Sequence, residues 1–272
     1  MTTLDSSTAA YSSVDGLSVA LSDGVLSLTM DRPESLNALT EVMLTGIAGA
    51  LERAATDPRV KVVRLGGAGR AFSSGAGIGA EDRSRKAPGS LTGVLDAANR
   101  AVRSIVSLPR PVVAVVHGPA AGVAASLALA SDVVVASEKA YFLLAFTRIG
   151  LMPDGGASAL VAAAVGRIRA MRMALLAERI SATEALEWGL ATAVYPEDGF
   201  AAEVDRLIAT LVDGPVVALR KTKDAINAAT LTQLEPALQR ELVGQLDLLT
   251  GHDFIEGTLA FQQRRKAEFT DM

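Results

Sequence analysis

Apolar and polar residues alternate loosely over Leu17–Leu21 and again over Val25–Met30, with Ser22-Asp23-Gly24 between them. Asp-Gly between two alternating runs predicts a β-hairpin. Pro33 ends the second strand, and Thr40 is placed to cap a helix over Glu41–Ala55 that Asp57-Pro58 stops. A strand is expected over Val60–Leu65. Leu91, Val94, Leu95, Ala98, Val102, Ile105 and Val106 keep helical spacing, which predicts a helix over Leu91–Ser107. Then two unbroken apolar runs, Val112–Val116 and Val133–Ala136, flank the Ala-rich segment Ala120–Ala130. Runs this short and this β-branched suit strands buried on both faces. The middle segment suits a helix, with Gly118-Pro119 as the turn into it.

Beyond Pro153 the pattern becomes mostly helical. Helices are expected over Ala157–Val165 and Arg167–Leu176. Ser181-x-x-Glu184 is a capping box for a short helix that ends at Gly189, and Ala191–Tyr195 is a last strand. Phe200–Val212, Val216–Ala229, Leu234–Thr250 and Asp253–Phe269 complete the chain as helices. Strand followed by helix occurs three times, without a clear sequence repeat, so the expected class is α/β. No linker marks a second independent domain. The expected organisation is a frayed tail at 1–13, a core at 14–198 and a helical region at 199–272.

A length of 272 residues is large for one domain but allowed for an α/β fold, and half the residues are apolar. A net charge of −4 and a pI near 5.3 argue against a nucleic-acid surface or a polybasic membrane patch. The absence of cysteine removes disulfides, thiolate metal sites and a thiol nucleophile. MTTLDSSTAAYSS has neither a basic end nor an apolar core, so no secretory or transit signal is read there, and a cytoplasmic location is the default expectation. Pro111–Ala136 is nearly uncharged, but His117, Gly118-Pro119 and Asp132 break it into pieces shorter than the roughly 20 residues a membrane span needs.

Candidate chemistry begins at the start of the Ala-rich helix. Its small side chains let a ligand approach the backbone N–H groups around Gly122, Val123 and Ala124. Gly75-Ala76-Gly77-Ile78-Gly79-Ala80 matches a dinucleotide-binding pattern, with Asp96 about twenty residues on, but neither the strand before it nor a helix after it is in the required place. The stretch is either a flexible surface loop or a backbone that admits a carbonyl ligand, with the Ala76 N–H as a second donor. Two donors aimed at one oxygen stabilise an enolate or a tetrahedral anion, and losing one typically costs about 3–4 kcal/mol of barrier. The charged stretch 81–90 reads as a mobile surface segment, with Glu81 and Asp82 solvated. His117 and His252, the only histidines, have no acidic cluster nearby, so no metal site is expected. Ser73 and Ser74 lack the flanking glycines of a nucleophile elbow. Asp154 follows a proline and precedes two glycines. From spacing alone it is an N-cap of the helix at Ala157 or a turn residue.

Six stretches together resemble the crotonase, or enoyl-CoA hydratase/isomerase, superfamily. They are DRPESLNAL, GGAGRAFSSGAG, PVVAVVHGPAAGVAASLALASD, FTRIGLMPDGG, ISATEALEWGLATAVYP and AFQQRRKAEFTD. They cover nearly the whole chain after about Val14, in the family's order. The resemblance implies a spiral of ββα turns and a C-terminal helical region that builds homotrimers, often paired into hexamers. It implies an acyl-CoA thioester substrate, with no cofactor and no metal. The thioester oxygen would sit between the N–H groups of Ala76 and Val123, in a pocket bordered by Ser74, Gly75, Ile78, Gly122 and Phe146. Arg32, Leu36 and Ala38 would lie near the CoA nucleotide and pantetheine. Lys266 and Phe269 would reach CoA from the last helix, in the same chain or a neighbour.

The chain departs from the family's hydratases where their two catalytic glutamates stand: Ser126 and Phe146 occupy those positions. Neither is a carboxylate base near pH 7. Gly77 replaces a usual aspartate. Asp154 matches the aspartate of non-hydratase branches, above all the phenylacetate-pathway epoxyacyl-CoA isomerases. The dehalogenase branch needs an aromatic cradle, and aromatics are only 4% of this chain. Three expectations follow: an enoyl-CoA isomerase working through Asp154, a hydratase with an atypical site, or a non-catalytic acyl-CoA binder.

Overall fold

The computed structural model describes residues 11–77 and 92–271. Ile78, Glu81, Asp82, the stretch 81–90, Leu91 and most of the expected N-terminal tail lie outside the described residues. Strands β1 (Leu17–Ser22) and β2 (Val25–Met30) pair antiparallel across Asp23 and Gly24, whose φ values are 50° and 83°. Positive φ at both central residues is what a two-residue turn between right-twisted strands requires. Helix α1 (Glu41–Ala54) starts at Thr40, whose hydroxyl accepts the Met43 N–H, and strand β3 (Val62–Gly67) follows.

Helix α2 (Gly93–Ser107), strand β4 (Val112–Val116), strand β5 (Pro119–Ala121), helix α3 (Val123–Ala130), strand β6 (Val133–Ser137) and strand β7 (Tyr141–Leu143) come next. Helix α4 (Ala157–Leu176) is broken at Gly166, with φ 76° and ψ 166°, so it behaves as the two expected helices. Strand β8 (Ile180–Ser181) leads into helix α5 (Ala182–Trp188) through the Ser181/Glu184 capping box, and strand β9 (Ala193–Tyr195) follows. Four helices complete the chain: α6 (Phe200–Val212), α7 (Val216–Thr230), α8 (Leu234–Leu249) and α9 (His252–Gln263).

The main sheet has the order β1-β2-β3-β4-β6-β9 and is parallel apart from the hairpin. A second sheet, β5-β7-β8, stands apart from it. Strand β4 shows why its sequence is continuously apolar. Val112, Ala114 and Val116 join the large core with α1, α2 and α3, while Val113 and Val115 pack with Phe200, Val204 and Ile208 of α6. Both faces of the strand are covered, and each fully buried valine contributes about 1.5–3 kcal/mol relative to exposure.

Several boundaries shift by a residue or two, as β3 and β9 do, β7 and β8 are additional short strands, and two departures bear on the site. Residues 119–121 are strand, not helix. Ser73 donates its N–H to Pro119 O, Ala121 donates to Ser73 O, and β5 pairs with β7. Such long-range pairing overrides the helix propensity of alanine. The last helix stops at Gln263 because Arg264 adopts φ 54°. The tail then turns back on α9. Glu256 binds Arg265 and the Glu268 N–H, while Asp253 Oδ1 accepts the N–H groups of Thr270 and Asp271. Lys266 and Phe269 therefore sit on this returning tail, not on a helix. Among the described residues no helix is long and apolar enough to cross a membrane.

Candidate active site

Two backbone turns meet at the start of α3. Gly122, the residue before the helix, has φ 55° and ψ −135°, and its N–H donates to Leu143 O at 2.8 Å. Gly75 has φ 90°; a Cβ there would stand 2.6 Å from Ala121 O and 3.4 Å from Gly122 Cα. The close approach requires glycine at 75, and the positive φ favours glycine at 122. Leu39 donates its N–H to Gly75 O and accepts the Gly77 N–H, at 2.8 and 3.0 Å. This pairing skips the Ala76 N–H, which faces away from Leu39. Val123 opens the helix, so its N–H has no partner within the helix. Among the described residues no hydrogen bond engages either N–H.

The 32–40 segment lies along the same turn. Arg32 Nη1 donates to Ala38 O at 2.8 Å, and Leu36 has φ 56°. Ser74 donates its N–H to Leu36 O at 2.8 Å and its hydroxyl to Ser35 O at 3.1 Å. Arg32, Leu36, Ala38, Ser74 and Gly75 thus form one contiguous ledge leading to Ala76.

The Asp154-Gly155 segment packs against the first turn of α3. A Cβ on the following residue, Gly155, would stand 3.2 Å from Val123 Cγ2 and 3.1 Å from Ser126 Cβ. Phe146 is buried, with Cζ 3.9 Å from where a Gly122 Cβ would be. Ser126 donates its hydroxyl to the backbone oxygen of Asp154 at 2.8 Å, so it positions the chain and leaves the carboxyl alone. The carboxyl itself is buried. Oδ2 accepts from Gln245 Nε2 at 2.8 Å, and Oδ1 has no partner. Among the described residues the only other buried side-chain N or O atom in that condition is Asn99 Oδ1. Burial pushes the Asp154 pKa up from 3.8 to about 7; the Gln245 hydrogen bond pulls it down and the charge of Glu241 pushes it further up. Of the two roles that spacing allows, N-cap or turn residue, Asp154 takes the second: its backbone oxygen accepts the Ala157 N–H at 3.3 Å, and Gly156 is the helix N-cap.

Sequence reasoning missed Gln245 and Glu241. Both are buried in α8, on the stripe that also carries Leu234, Ala237 and Leu238. Glu241 accepts the Gly156 N–H at 2.6 Å, the Ser158 N–H at 2.9 Å and the Ser158 hydroxyl at 2.5 Å. Burial pushes its pKa up, against these bonds. The available signal was two polar residues, four apart, on an otherwise apolar helix face.

Other candidates lie elsewhere. Lys266 and Phe269 are exposed on the tail behind α9. Asp132 accepts the Val112 N–H at 2.7 Å and pairs with Lys223 at 2.8 Å. That pair borders a cavity of about 410 Å³ at the far end of α3, away from Asp154. His117 Nε2 meets Gly69 O at 3.0 Å. Among the described residues no group of His, Cys, Asp and Glu is placed to hold a metal.

The arrangement combines a carboxyl that titrates near neutrality with two unengaged N–H groups at abutting backbones. Residues 20–272 match the family model described as enoyl-CoA hydratase/isomerase. The chain is 40% identical over 92% of its length to the "Probable enoyl-CoA hydratase" of Rhodobacter capsulatus, covering 96% of that protein. It is 36% identical over 91% of its length to the 1,2-epoxyphenylacetyl-CoA isomerase of Escherichia coli, covering 95% of it. A crystal structure of an enoyl-CoA hydratase from Mycobacterium avium subsp. paratuberculosis superposes with a TM-score of 0.89 at 66% identity, covering 94% of this chain and 99% of that one.

Proposed function

The chain belongs to the enoyl-CoA hydratase/isomerase family of acyl-CoA enzymes, and from that premise we propose that it isomerises an enoyl-CoA-type thioester through Asp154. In this reading the thioester oxygen lies between the N–H groups of Ala76 and Val123. Asp154 removes a proton from a carbon that the thioester makes acidic. The two N–H groups stabilise the enolate oxygen that forms, each worth about 3–4 kcal/mol of barrier. Asp154 then returns the proton at another carbon, which moves a double bond or opens a strained ring. Arg32, Leu36 and Ala38 hold the CoA portion, and the CoA thioester is substrate, with no separate cofactor in the proposed reaction.

One observation carries the reading: Asp154 is a buried carboxyl with one bare oxygen and a pKa near 7. Such a group accepts and returns a proton with little driving force lost either way. Hydration needs a second group to place water, and Ser126 is committed to a backbone oxygen while Phe146 is apolar. The competing reading is a hydratase with an atypical site. It draws on the hydratase names of the 40% and 66% identical relatives.

The test is Asp154→Asn assayed on 3-enoyl-CoA and related thioesters, with 2-enoyl-CoA hydration measured alongside. Loss of at least a hundredfold in isomerisation is expected. Unchanged turnover removes Asp154 from the mechanism. Hydration as fast as in a two-glutamate enzyme favours the second reading, and tight CoA-thioester binding with no turnover favours a non-catalytic binder. The proposed assembly is a homotrimer or a pair of trimers. Exposed Val217, Ile226, Val243, Ile255 and Phe261 on α7, α8 and α9 support it, as apolar surface that a second copy would cover.

A further inference from the structure

We propose that Gln245 is a positioning residue for Asp154, tying down one carboxylate oxygen so that the other is presented bare to the substrate. This rests on the reading of Asp154 as the proton carrier. Gln245 is fully buried, and both ends of its amide are committed. Its oxygen accepts the Met152 N–H at 3.2 Å, and its nitrogen donates to Asp154 Oδ2 at 2.8 Å. Flipping the amide would set its NH2 against one N–H and its oxygen against the carboxylate, losing both bonds. The orientation is therefore locked.

The residue type matters as much as the contact. A lysine or arginine here would pair with the carboxylate and hold it ionised. An apolar side chain would leave both oxygens unpartnered in a buried site. Glutamine fixes the carboxyl without adding charge. One turn earlier, Glu241 grips Gly156 and Ser158. Helix α8 thus clamps the segment 152–158 on both sides of Asp154, and one bond of that clamp reaches the carboxyl itself.

Few groups besides Gln245 influence Asp154. From α8 the titratable one is Glu241, whose charge raises the proton affinity of Asp154. From α3, the Ser126 hydroxyl reaches the Asp154 backbone oxygen and Val123 lies against Gly155, and neither side chain titrates near neutral pH. From α4, Ser158 is bonded to Glu241.

The experiment compares wild type with Gln245→Met, which keeps length and volume but loses the donor. Two readouts are taken: the pH profile of kcat/KM for a 3-enoyl-CoA, and the titration of the Asp154 carboxyl by 13C NMR, assigned by its absence in Asp154→Asn. The acid limb and the NMR midpoint are both expected to rise by about one pH unit, so that kcat/KM at pH 6 falls about tenfold beyond any loss at pH 9. Glu241→Gln is expected to move both in the opposite direction. A helix that served only as packing would lower activity in either variant without moving the limb or the midpoint. If Gln245→Met does not fold, Gln245→Asn, which withdraws the donor by one methylene, must show the same upward shift. An unmoved midpoint in a folded Gln245 variant overturns the inference. Retained turnover in Asp154→Asn overturns the reading beneath it, and the NMR midpoint separates the two failures.

Discussion

Asp154→Asn is expected to lose less stability than wild type as pH rises, while losing its chemistry. Burial raises the Asp154 pKa from 3.8 to about 7. A shift of about three units corresponds to ~4 kcal/mol. The sign follows from proton counting. Between pH 4 and pH 7 the folded state holds a proton that the unfolded state has lost, so stability falls as pH rises through this window. At pH 5 only part of the penalty has accrued, and by pH 8 nearly all of it. Asparagine carries no charge at either pH and can still accept from Gln245. Any fixed cost of its amide cancels when two pH values are compared. Relative to wild type, the variant should therefore gain about 2–3 kcal/mol between pH 5 and pH 8. Urea unfolding of both proteins at the two pH values, at one fixed protein concentration, measures that double difference. Parallel pH dependence in the two proteins would refute the claim that Asp154 is held buried against its charge.

Three further outcomes follow from the same geometry. Gly122→Ala should cost about 1–3 kcal/mol from torsion alone, because its added methyl would meet nothing closer than 3.8 Å. Gly75→Ala should cost more, since its methyl would stand 2.6 Å from Ala121 O, and thermal unfolding ranks the two. Lys223→Met leaves Asp132 buried without its cation and should destabilise by about 3–5 kcal/mol; adding Asp132→Asn should recover part of that, as read by urea unfolding. The chain should sediment as a trimer or hexamer, and a monomer at micromolar concentration would contradict the proposed assembly.

Elements whose signals are local were legible in the sequence. Asp23-Gly24, Thr40, the Ser181/Glu184 box and Gly189 each act through bonds within a few residues, and each does what its residue type implies. Strands β5, β7 and β8 escaped because they are two or three residues long and exist through pairing with one another. The end of α9 escaped for a related reason: Glu256 and Asp253 capture the tail with side-chain acceptors, a competition that helix periodicity does not register. At the site, the glycine turns and the position of Asp154 were readable from motifs. Its chemical state was not, because it depends first on burial and then on α8, whose Gln245 is 91 residues away. The one local hint was that polar Glu241 and Gln245 interrupt an apolar stripe.

The claim on which the rest depends is that Asp154 works beneath an oxygen held by two backbone N–H groups. A crystal structure with a bound, unreactive acyl-CoA thioester tests it most directly. The expected result is a thioester oxygen about 3 Å from both the Ala76 and Val123 nitrogens, with Asp154 Oδ1 about 3–3.5 Å from the substrate carbon next to the thioester. A thioester oxygen bound away from those two nitrogens, or an Asp154 carboxyl turned from that carbon, would contradict it.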